Sequence, residues 1–142
     1  MDSYDREARL FSALSHPVRL QILDVLAQSE ACVCHLCAAL EQRQAYVSQQ
    51  LATLKDAGLI ADRKEGLYVY YRLADAVVAR LLRDTRASLA RLSGDDIVRQ
   101  VRVPRHGEIE CSCPQCLAKR AAGVARQARA ESTSHLPNYT SQ

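Results

Sequence analysis

A change in hydrophobic period at Gly58 constrains the fold of this chain of 142 residues more than any other feature. Between Val47 and Leu54, apolar side chains recur at the spacing of an amphipathic helix, and Gly58 suits the left-handed residue that ends such a helix. From residue 59 to 73, apolar and polar side chains alternate about a turn at residues 64–66, which is typical of a β-hairpin. A helix followed at once by a hairpin therefore lies at the centre of the sequence.

Helical spacing predicts further helices on both sides of this pair. Pro17 fits the first turn of one helix, because the N–H that proline lacks would be unpaired there, and Asp75 is a candidate N-cap for the last. The predicted helices cover residues 3–14, 18–26, 34–40, 45–57 and 75–92. This order predicts a mainly α fold with a β-hairpin wing, the winged helix-turn-helix, which is a DNA-binding architecture.

The helix before Gly58 has a polar face suited to reading DNA. Its polar side chains are Tyr46, Ser48, Gln49 and Gln50. Their hydroxyl and amide groups can reach base edges or phosphates, whereas a helix face that only meets solvent more typically carries Glu and Lys. The hairpin adds a basic pair near its turn, Arg63 and Lys64.

Three blocks of sequence, in this order, resemble the ArsR/SmtB family of metal-responsive repressors. They are ALSHPVRLQIL at residues 13–23, VSQQLATLKDAGLI at 47–60 and GLYVYYRL at 66–73. The resemblance covers about residues 5–92 and implies a homodimer held together by its first and last helices. Two recognition helices would then enter successive major grooves of operator DNA.

The resemblance also implies roles for the polar residues. It implies that Ser48, Gln49 and Gln50 contact bases or phosphates, with Tyr46 as a neighbouring candidate. It also implies that Arg63 and Lys64 contact the DNA backbone. Members of the family often carry a histidine where this chain has Gln50. Residues 1–92 are thus expected to form the DNA-binding and dimerisation domain.

All six cysteines fall into two groups with the same spacing, Cys-x-Cys-x-x-Cys. The first triad is Cys32, Cys34 and Cys37, and the second triad is Cys111, Cys113 and Cys116. Thiolates select soft ions, and the cytoplasm, where we expect this chain, keeps thiols reduced, so ligands are favoured over disulfides. Packing of cysteine as a small hydrophobe explains three within six residues poorly.

Helix geometry limits how the first triad can bind an ion. Cys34 and Cys37 are i, i+3 neighbours on one helical face, whereas Cys32 cannot share that face in a continuous helix. By resemblance, this triad is similar to the As(III) and Sb(III) site of arsenical-resistance repressors. An ion that pulled Cys32 inward would distort the third helix just before the recognition helix. His35 is expected at the surface or in a capping role.

The second triad belongs to residues 93–142, a C-terminal extension that the resemblance does not cover. Pro114 is expected to keep these three cysteines on a tight loop, with a helix after them at residues 117–131 and a disordered end at 132–142. The triad could be an independent soft-metal site, could share an ion with the first triad, or could be inert. Zn(II) or Cd(II) would prefer four ligands, with His106 or a borrowed thiol as the fourth.

These observations predict a repressor that binds operator DNA as a homodimer and is released when As(III) or Sb(III) binds cysteine thiolates. Two alternatives remain. One is a repressor of the same fold that responds to Cd(II), Pb(II) or Zn(II), or to thiol oxidation, and the other is a cysteine-rich metal buffer. An enzyme is not expected, because no nucleophile triad, phosphate-binding glycine loop or carboxylate pair appears. No apolar run is long enough to cross a membrane.

Overall fold

The computed structural model of the protein describes residues 2–94 and 110–133. These residues belong to two compact units, the first holding residues 2–94 and the second holding residues 110–133. The first unit contains α1 (Ser3–Leu14), α2 (Pro17–Gln28), β1 (Ala31–Cys32), α3 (Val33–Leu40), α4 (Gln44–Asp56), β2 (Ile60–Glu65), β3 (Tyr68–Leu73) and α5 (Ala76–Ser93). The second unit contains α6 (Pro114–Thr133).

Some predictions concern other parts of the chain. The candidate ligand His106 and residues 134–142 of the predicted disordered end lie outside the described residues, whereas the first two residues of that predicted end, 132 and 133, belong to α6. The predicted domain boundary after residue 92 stays a prediction, since the chain between the two units also lies outside them.

Local capping explains where the helices of the first unit begin. At the start of α2, His16 Nδ1 accepts a hydrogen bond from the Val18 amide at 3.3 Å, and Pro17 occupies the first turn. At the start of α5, the Asp75 carboxylate accepts from the Val77 amide at 2.8 Å. Both bonds satisfy amides that the helix itself leaves unpaired, and they confirm the predicted positions of Pro17 and Asp75.

The wing is a hairpin of β2 and β3 that pairs from Ile60 opposite Leu73 to Glu65 opposite Tyr68. Only Gly66 and Leu67 lie between the two strands. Gly66 has φ of +59°, and positive φ at the first position of a two-residue loop is the feature of type II′ hairpin turns. The turn therefore lies one residue later than the predicted turn at 64–66, whose first two residues belong to β2.

A third strand, not predicted from the sequence, completes the sheet in the order β1-β3-β2. It is the two-residue strand β1, in which Ala31 lies opposite Tyr71 and Cys32 lies opposite Tyr70. The start of α3 is thereby joined directly to the wing, because Cys32 both ends β1 and precedes α3.

The core of the first unit joins α2, α3, α4, the sheet and α5 around apolar side chains. Its most buried members are Ile22, Leu23, Leu36, Val47 and Leu54, each 0% exposed. Burial of one such side chain contributes roughly 1.5–3 kcal/mol, so the core fixes α3 and α4 against each other. The predicted winged helix-turn-helix architecture is confirmed, with α4 as the recognition helix and β2 and β3 as the wing.

Candidate functional site

The outer face of α4 presents a short polar surface to solvent. Val47, Leu51 and Leu54 face the core, and this orientation turns the intervening side chains outward, because helical side chains repeat every 3.6 residues. Ser48 and Gln49 are both exposed. These two predicted DNA contacts are therefore brought together on one accessible face.

Gln50 is placed differently, since its side chain is only 9% exposed. Its Oε1 accepts a hydrogen bond from Arg19 Nη1 at 3.0 Å. The same guanidinium donates from Nη2 to the Ser12 carbonyl at 2.9 Å and from Nε to the Ala13 carbonyl. Arg19 thus joins the end of α1 to α4 through Gln50. DNA contact by Gln50 stays a prediction, but the structure separates it from the exposed pair Ser48 and Gln49.

Tyr46 is half-buried at the first turn of α4. Its hydroxyl lies 3.3 Å from His16 Nε2, whose other ring nitrogen caps α2. The hydroxyl is therefore within hydrogen-bond distance of the turn between α1 and α2. Like Gln50, Tyr46 ties the recognition helix to the rest of the unit.

The two basic residues of the wing have different surroundings. Arg63 is held by Glu30, whose carboxylate accepts from Nε at 2.9 Å and from Nη2 at 2.6 Å, and by Glu65, which accepts from Nη1 at 2.7 Å. These carboxylates raise the pKa of the Arg63 guanidinium, which also lies 4.6 Å above the ring of Tyr70. Lys64 is exposed, and it is the more available of the two for a phosphate.

The first triad lies at the start of α3, and its three side chains differ in exposure. Cys32 is buried and its Sγ accepts from the His35 amide at 3.4 Å, so it is the N-cap of α3. Cys34 is exposed and Cys37 is half-buried, and burial raises the pKa of the Cys37 thiol. Among the described residues of the first unit, no three side chains of His, Cys, Asp or Glu form a ready group of metal ligands.

His35 corrects an expectation, because its side chain is 1% exposed rather than at the surface. The residue at which α3 begins explains this burial. Cys32 caps the helix, which turns His35 and Leu36 toward the interior. The His35 backbone takes part in the cap, but its imidazole is a buried group of the core.

A groove of about 720 Å³ brings the first triad next to the DNA-binding elements. Besides the triad, its lining comes from α3, from the turn between α3 and α4, from the first residue of α4 and from the wing. These residues are Val33, Ala38, Glu41, Gln42, Arg43, Gln44, Leu67, Tyr68 and Val69. An ion bound in this groove would therefore lie beside the start of the recognition helix and beside the wing.

The second triad lies at the start of α6, and here the sulfur atoms are gathered. Those of Cys111, Cys113 and Cys116 all lie within 4.8 Å of one another. The Cys116 amide donates to Cys113 Sγ at 3.4 Å. All three residues are 2% exposed or less, and burial, followed by hydrogen bonds with Cys113 and Cys111, raises the pKa of the Cys116 thiol to about 12.

Pro114 also differs from its prediction, because α6 begins at this residue rather than after a loop. Proline is favoured in the first turn of a helix, where it needs no N–H and its fixed φ suits the helix. The expectation of a loop through the second triad was therefore wrong for Cys116, which lies in the first turn of α6.

Comparison with known proteins decides the family. Residues 16–62 match the family model described as "Bacterial regulatory protein, arsR family". The solved homodimeric winged helix-turn-helix DNA-binding domain of Mb0332 from Mycobacterium bovis, a possible ArsR-family transcriptional regulator, is 36% identical with a TM-score of 0.60; the match covers 68% of this chain and 90% of that one. The chain belongs to the ArsR family.

Two curated relatives are repressors. The arsenical resistance operon repressor of Escherichia coli K12 is 44% identical over 72 residues, which is 50% of this chain and 62% of that protein. The SmtB homolog of Synechocystis, a transcriptional repressor, is 42% identical over 84 residues, which is 59% of this chain and 64% of that protein. The chain thus spans less than two thirds of the length of each of these relatives.

Membership of the ArsR family covers the first triad and α4 but not the second triad, which lies beyond residue 62. It favours a regulatory protein over an enzyme. Among the described residues, no helix combines the length and apolar character that a membrane span requires. Sequence reasoning missed Arg19 and Glu30, and no local signal marks either, because their partners Gln50 and Arg63 are 31 and 33 residues away.

Proposed function

We propose that this ArsR family protein is a cytoplasmic, homodimeric transcriptional repressor that leaves its operator when As(III) or Sb(III) binds the first triad. The observation that carries the proposal is the groove in which the three cysteines, the first residue of α4 and the wing line one cavity. An ion bound there would lie beside both DNA-binding elements, so a shift of its ligands would act on them directly.

A dimer is supported by apolar side chains that the single chain leaves exposed on its first and last helices. Tyr4 and Phe11 on α1 are 81% and 63% exposed, and Leu89 and Leu92 on α5 are 52% and 85% exposed. Tyr4 and Phe11 lie seven residues apart, two helical turns along one face. Large apolar side chains that share a face mark an association surface, and a twofold dimer would place two α4 helices about 34 Å apart on an operator with twofold symmetry.

In this proposal, the exposed residues of α4 recognise the DNA sequence. Ser48 and Gln49 have the hydroxyl and amide groups that bind base edges, and Lys64 can bind phosphate from the wing. We assign Gln50 and Tyr46 to positioning, since Gln50 is joined to the end of α1 through Arg19 and the Tyr46 hydroxyl lies beside His16 in the turn between α1 and α2. Arg63, enclosed by two carboxylates, sets the shape of the wing.

Coupling between the ion and DNA follows from the two structural roles of Cys32. The sulfurs of Cys32, Cys34 and Cys37 do not form a gathered ligand group, so binding of one ion by all three requires a shift at the start of α3, where Cys32 Sγ accepts from the His35 amide. Cys32 also lies opposite Tyr70 in the sheet, and the Arg63 guanidinium lies over the Tyr70 ring. Ion binding would therefore shift the start of α3 and the wing together. A coupling of about 2 kcal/mol weakens DNA binding about thirtyfold.

The chemistry of three sulfurs favours a soft ion of low coordination number. Thiolates prefer such ions over oxygen-loving cations, and Zn(II) or Cd(II) would require a fourth ligand, whereas a pyramidal As(III) or Sb(III) needs three. The name of the Escherichia coli relative, an arsenical resistance operon repressor, supports the same choice. Coordination number therefore favours the metalloids over Zn(II) and Cd(II), and the name of this relative favours them over Pb(II).

The test is release of DNA by ions. A fluorescent duplex selected by the reduced protein from a random pool is titrated with protein in the presence of As(III), Sb(III), Cd(II), Pb(II) or Zn(II), and anisotropy reports the Kd. We expect As(III) and Sb(III) to raise the Kd about thirtyfold and the divalent ions to raise it much less. An unchanged Kd with As(III) would refute the proposal.

A matched pair of variants separates DNA reading from ion response in the same assay. Gln49→Ala should weaken binding to the selected duplex by about 1–3 kcal/mol while the fold-change caused by As(III) is preserved. Ala118→Ser, an exposed change on α6 that does not line the groove, should leave both quantities as they are in the unmodified protein.

A further inference from the structure

We propose that the second triad is an ion site in its own right, in which Cys111, Cys113 and Cys116 of one chain bind one soft, thiophilic ion of the As(III) class through three sulfurs. This inference does not rest on the proposed function, because its ligands all belong to the second unit and it requires no effect on DNA.

The geometry of the three sulfurs carries the inference. Cys113 directly precedes α6 and Cys116 lies in its first turn, so the two are i, i+3 neighbours and the Cys116 amide meets Cys113 Sγ. Cys111 completes the set, with every sulfur within 4.8 Å of the other two. Bonds of about 2.3 Å from a metal to each sulfur would bring the sulfurs to about 3.8 Å apart at tetrahedral angles. At tetrahedral angles they need to approach one another by about 1 Å at most, and the narrower angles of a pyramidal ion bring them slightly closer.

The surroundings of the triad argue against plain core packing. Among residues 110–130, the cysteines of the second triad are the only buried side chains. The two large apolar residues of α6, Leu117 and Val124, are 47% and 63% exposed. A segment this short cannot build an apolar core, and units below about 40 residues usually need disulfides, metals or association to be stable. Three thiols that lie close together can bind a metal ion with all three sulfurs, whereas a disulfide would join only two of the cysteines.

The number of ligands selects the class of ion. Three thiolates from one short segment satisfy a pyramidal, three-coordinate ion, and their softness excludes Mg(II) or Ca(II) as partners. Zn(II) and Cd(II) take four ligands, so with this set alone they should bind more weakly than As(III).

The experiment counts ions on the full-length, reduced chain. Equilibrium dialysis with As(III) gives the number bound per chain, and ultraviolet absorption by arsenic–sulfur bonds gives the number of sulfurs per ion. We compare the unmodified chain with two triple variants, Cys32→Ser/Cys34→Ser/Cys37→Ser and Cys111→Ser/Cys113→Ser/Cys116→Ser. Circular dichroism checks that each variant keeps its helices.

The expected result is one ion on the chain that lacks the first triad, with an absorption that corresponds to three sulfurs. In that background, each single change in the second triad should weaken As(III) binding at least tenfold, while the control Ala118→Ser on the exposed face of α6 should not. No bound ion in that background would overturn the inference. Binding of Zn(II) as tight as that of As(III) would overturn the three-coordinate class of ion.

The count on the unmodified chain separates this inference from the proposed function. Two ions per chain support independent triads, whereas a single ion lost on removal of either triad would overturn their independence. Failure of As(III) to release DNA, with two ions still bound per chain, would refute the proposed repressor mechanism and leave the second site standing.

Discussion

The two triads have the same spacing but different positions relative to the helix that follows. In the first triad, α3 begins directly after the first cysteine, so Cys32 is the cap and the other two lie within the helix. In the second, α6 begins directly after the second cysteine, so only Cys116 lies within the helix. Spacing in the sequence therefore does not decide which sulfurs converge. The residue at which the helix begins decides it.

Different local causes set these two starting points. Pro114 fixes the start of α6, since proline favours the first turn of a helix and is excluded from its interior. Cys32 is held in β1 by its pairing with Tyr70, so α3 must begin immediately after the sheet. The first triad is thus tied to the wing, whereas the sulfurs of the second triad lie together at the start of α6.

This difference separates a sensor from a simple binding site. An ion shifts a conformational equilibrium only when it binds one conformation better than the other. The first triad has to rearrange to bind with three sulfurs, so binding there must change the structure around α3. The second triad is already gathered, and binding there has little structural change to transmit.

Removal of each triad in turn should give the largest contrast. In Cys34→Ser/Cys37→Ser, we expect the roughly thirtyfold release of DNA by As(III) to disappear, because one remaining sulfur cannot hold the ion. The Kd for DNA without As(III) should stay within about twofold, since Cys34 is exposed and Cys37 is only half-buried. Fluorescence anisotropy with the selected duplex measures both values.

The matched control is Cys111→Ser/Cys113→Ser/Cys116→Ser, which should bind one ion fewer and still release DNA about thirtyfold. If this variant lost the response while the first-triad variant kept it, the assignment of the two triads would be reversed.

A smaller effect is expected where the first triad meets the wing. Arg63→Ala removes the contacts with Glu30, Glu65 and the Tyr70 ring. These link the segment before β1 to β2, so a shift at Cys32 should reach the wing less completely. We expect about 1 kcal/mol less coupling, which lowers the fold-change from about thirty to about six.

Lys64→Ala is the control for the Arg63 change in the same anisotropy assay. It removes a neighbouring exposed cation, so DNA affinity should fall severalfold while the fold-change caused by As(III) stays the same. Equal fold-changes in Arg63→Ala and in the unmodified protein would show that the wing does not take part in the response.

The smallest expected effect concerns the cap itself. Cys32→Ser keeps an acceptor for the His35 amide, whereas Cys32→Ala leaves that amide unpaired at the start of α3. Loss of an N-cap typically costs about 1 kcal/mol, so alanine should lower the free energy of unfolding by about that much more than serine does. Urea denaturation followed by circular dichroism measures the difference. Identical values for the two variants would mean that Cys32 contributes packing and no cap.

Much of this structure could be predicted because it depends on neighbouring residues. The helices follow from apolar spacing and from caps such as Asp75, and the hairpin follows from its alternation. Strand β1 could not be predicted, since a strand of two residues has no period. The burial of Gln50 and the enclosure of Arg63 depend on Arg19 and Glu30, which are distant in sequence.

The candidate site, too, could be predicted from the sequence only in part. Both triads are visible in the sequence, and helix geometry already separates Cys32 from its two partners in the first. Convergence of the second triad depends on whether Pro114 starts a helix or breaks one, and both outcomes are compatible with the residue alone. The position of the first triad in a groove with the wing follows only from the fold.

One measurement compares the triads directly, because each contains a backbone amide that donates to a cysteine sulfur at 3.4 Å, from His35 to Cys32 and from Cys116 to Cys113. Hydrogen exchange of these two amides can be followed by NMR without and with As(III). We predict that As(III) speeds exchange at His35, as Cys32 leaves its cap, and leaves the Cys116 amide at least as protected as before. Unchanged protection at His35 while As(III) is bound to the first triad would contradict a rearrangement at that site.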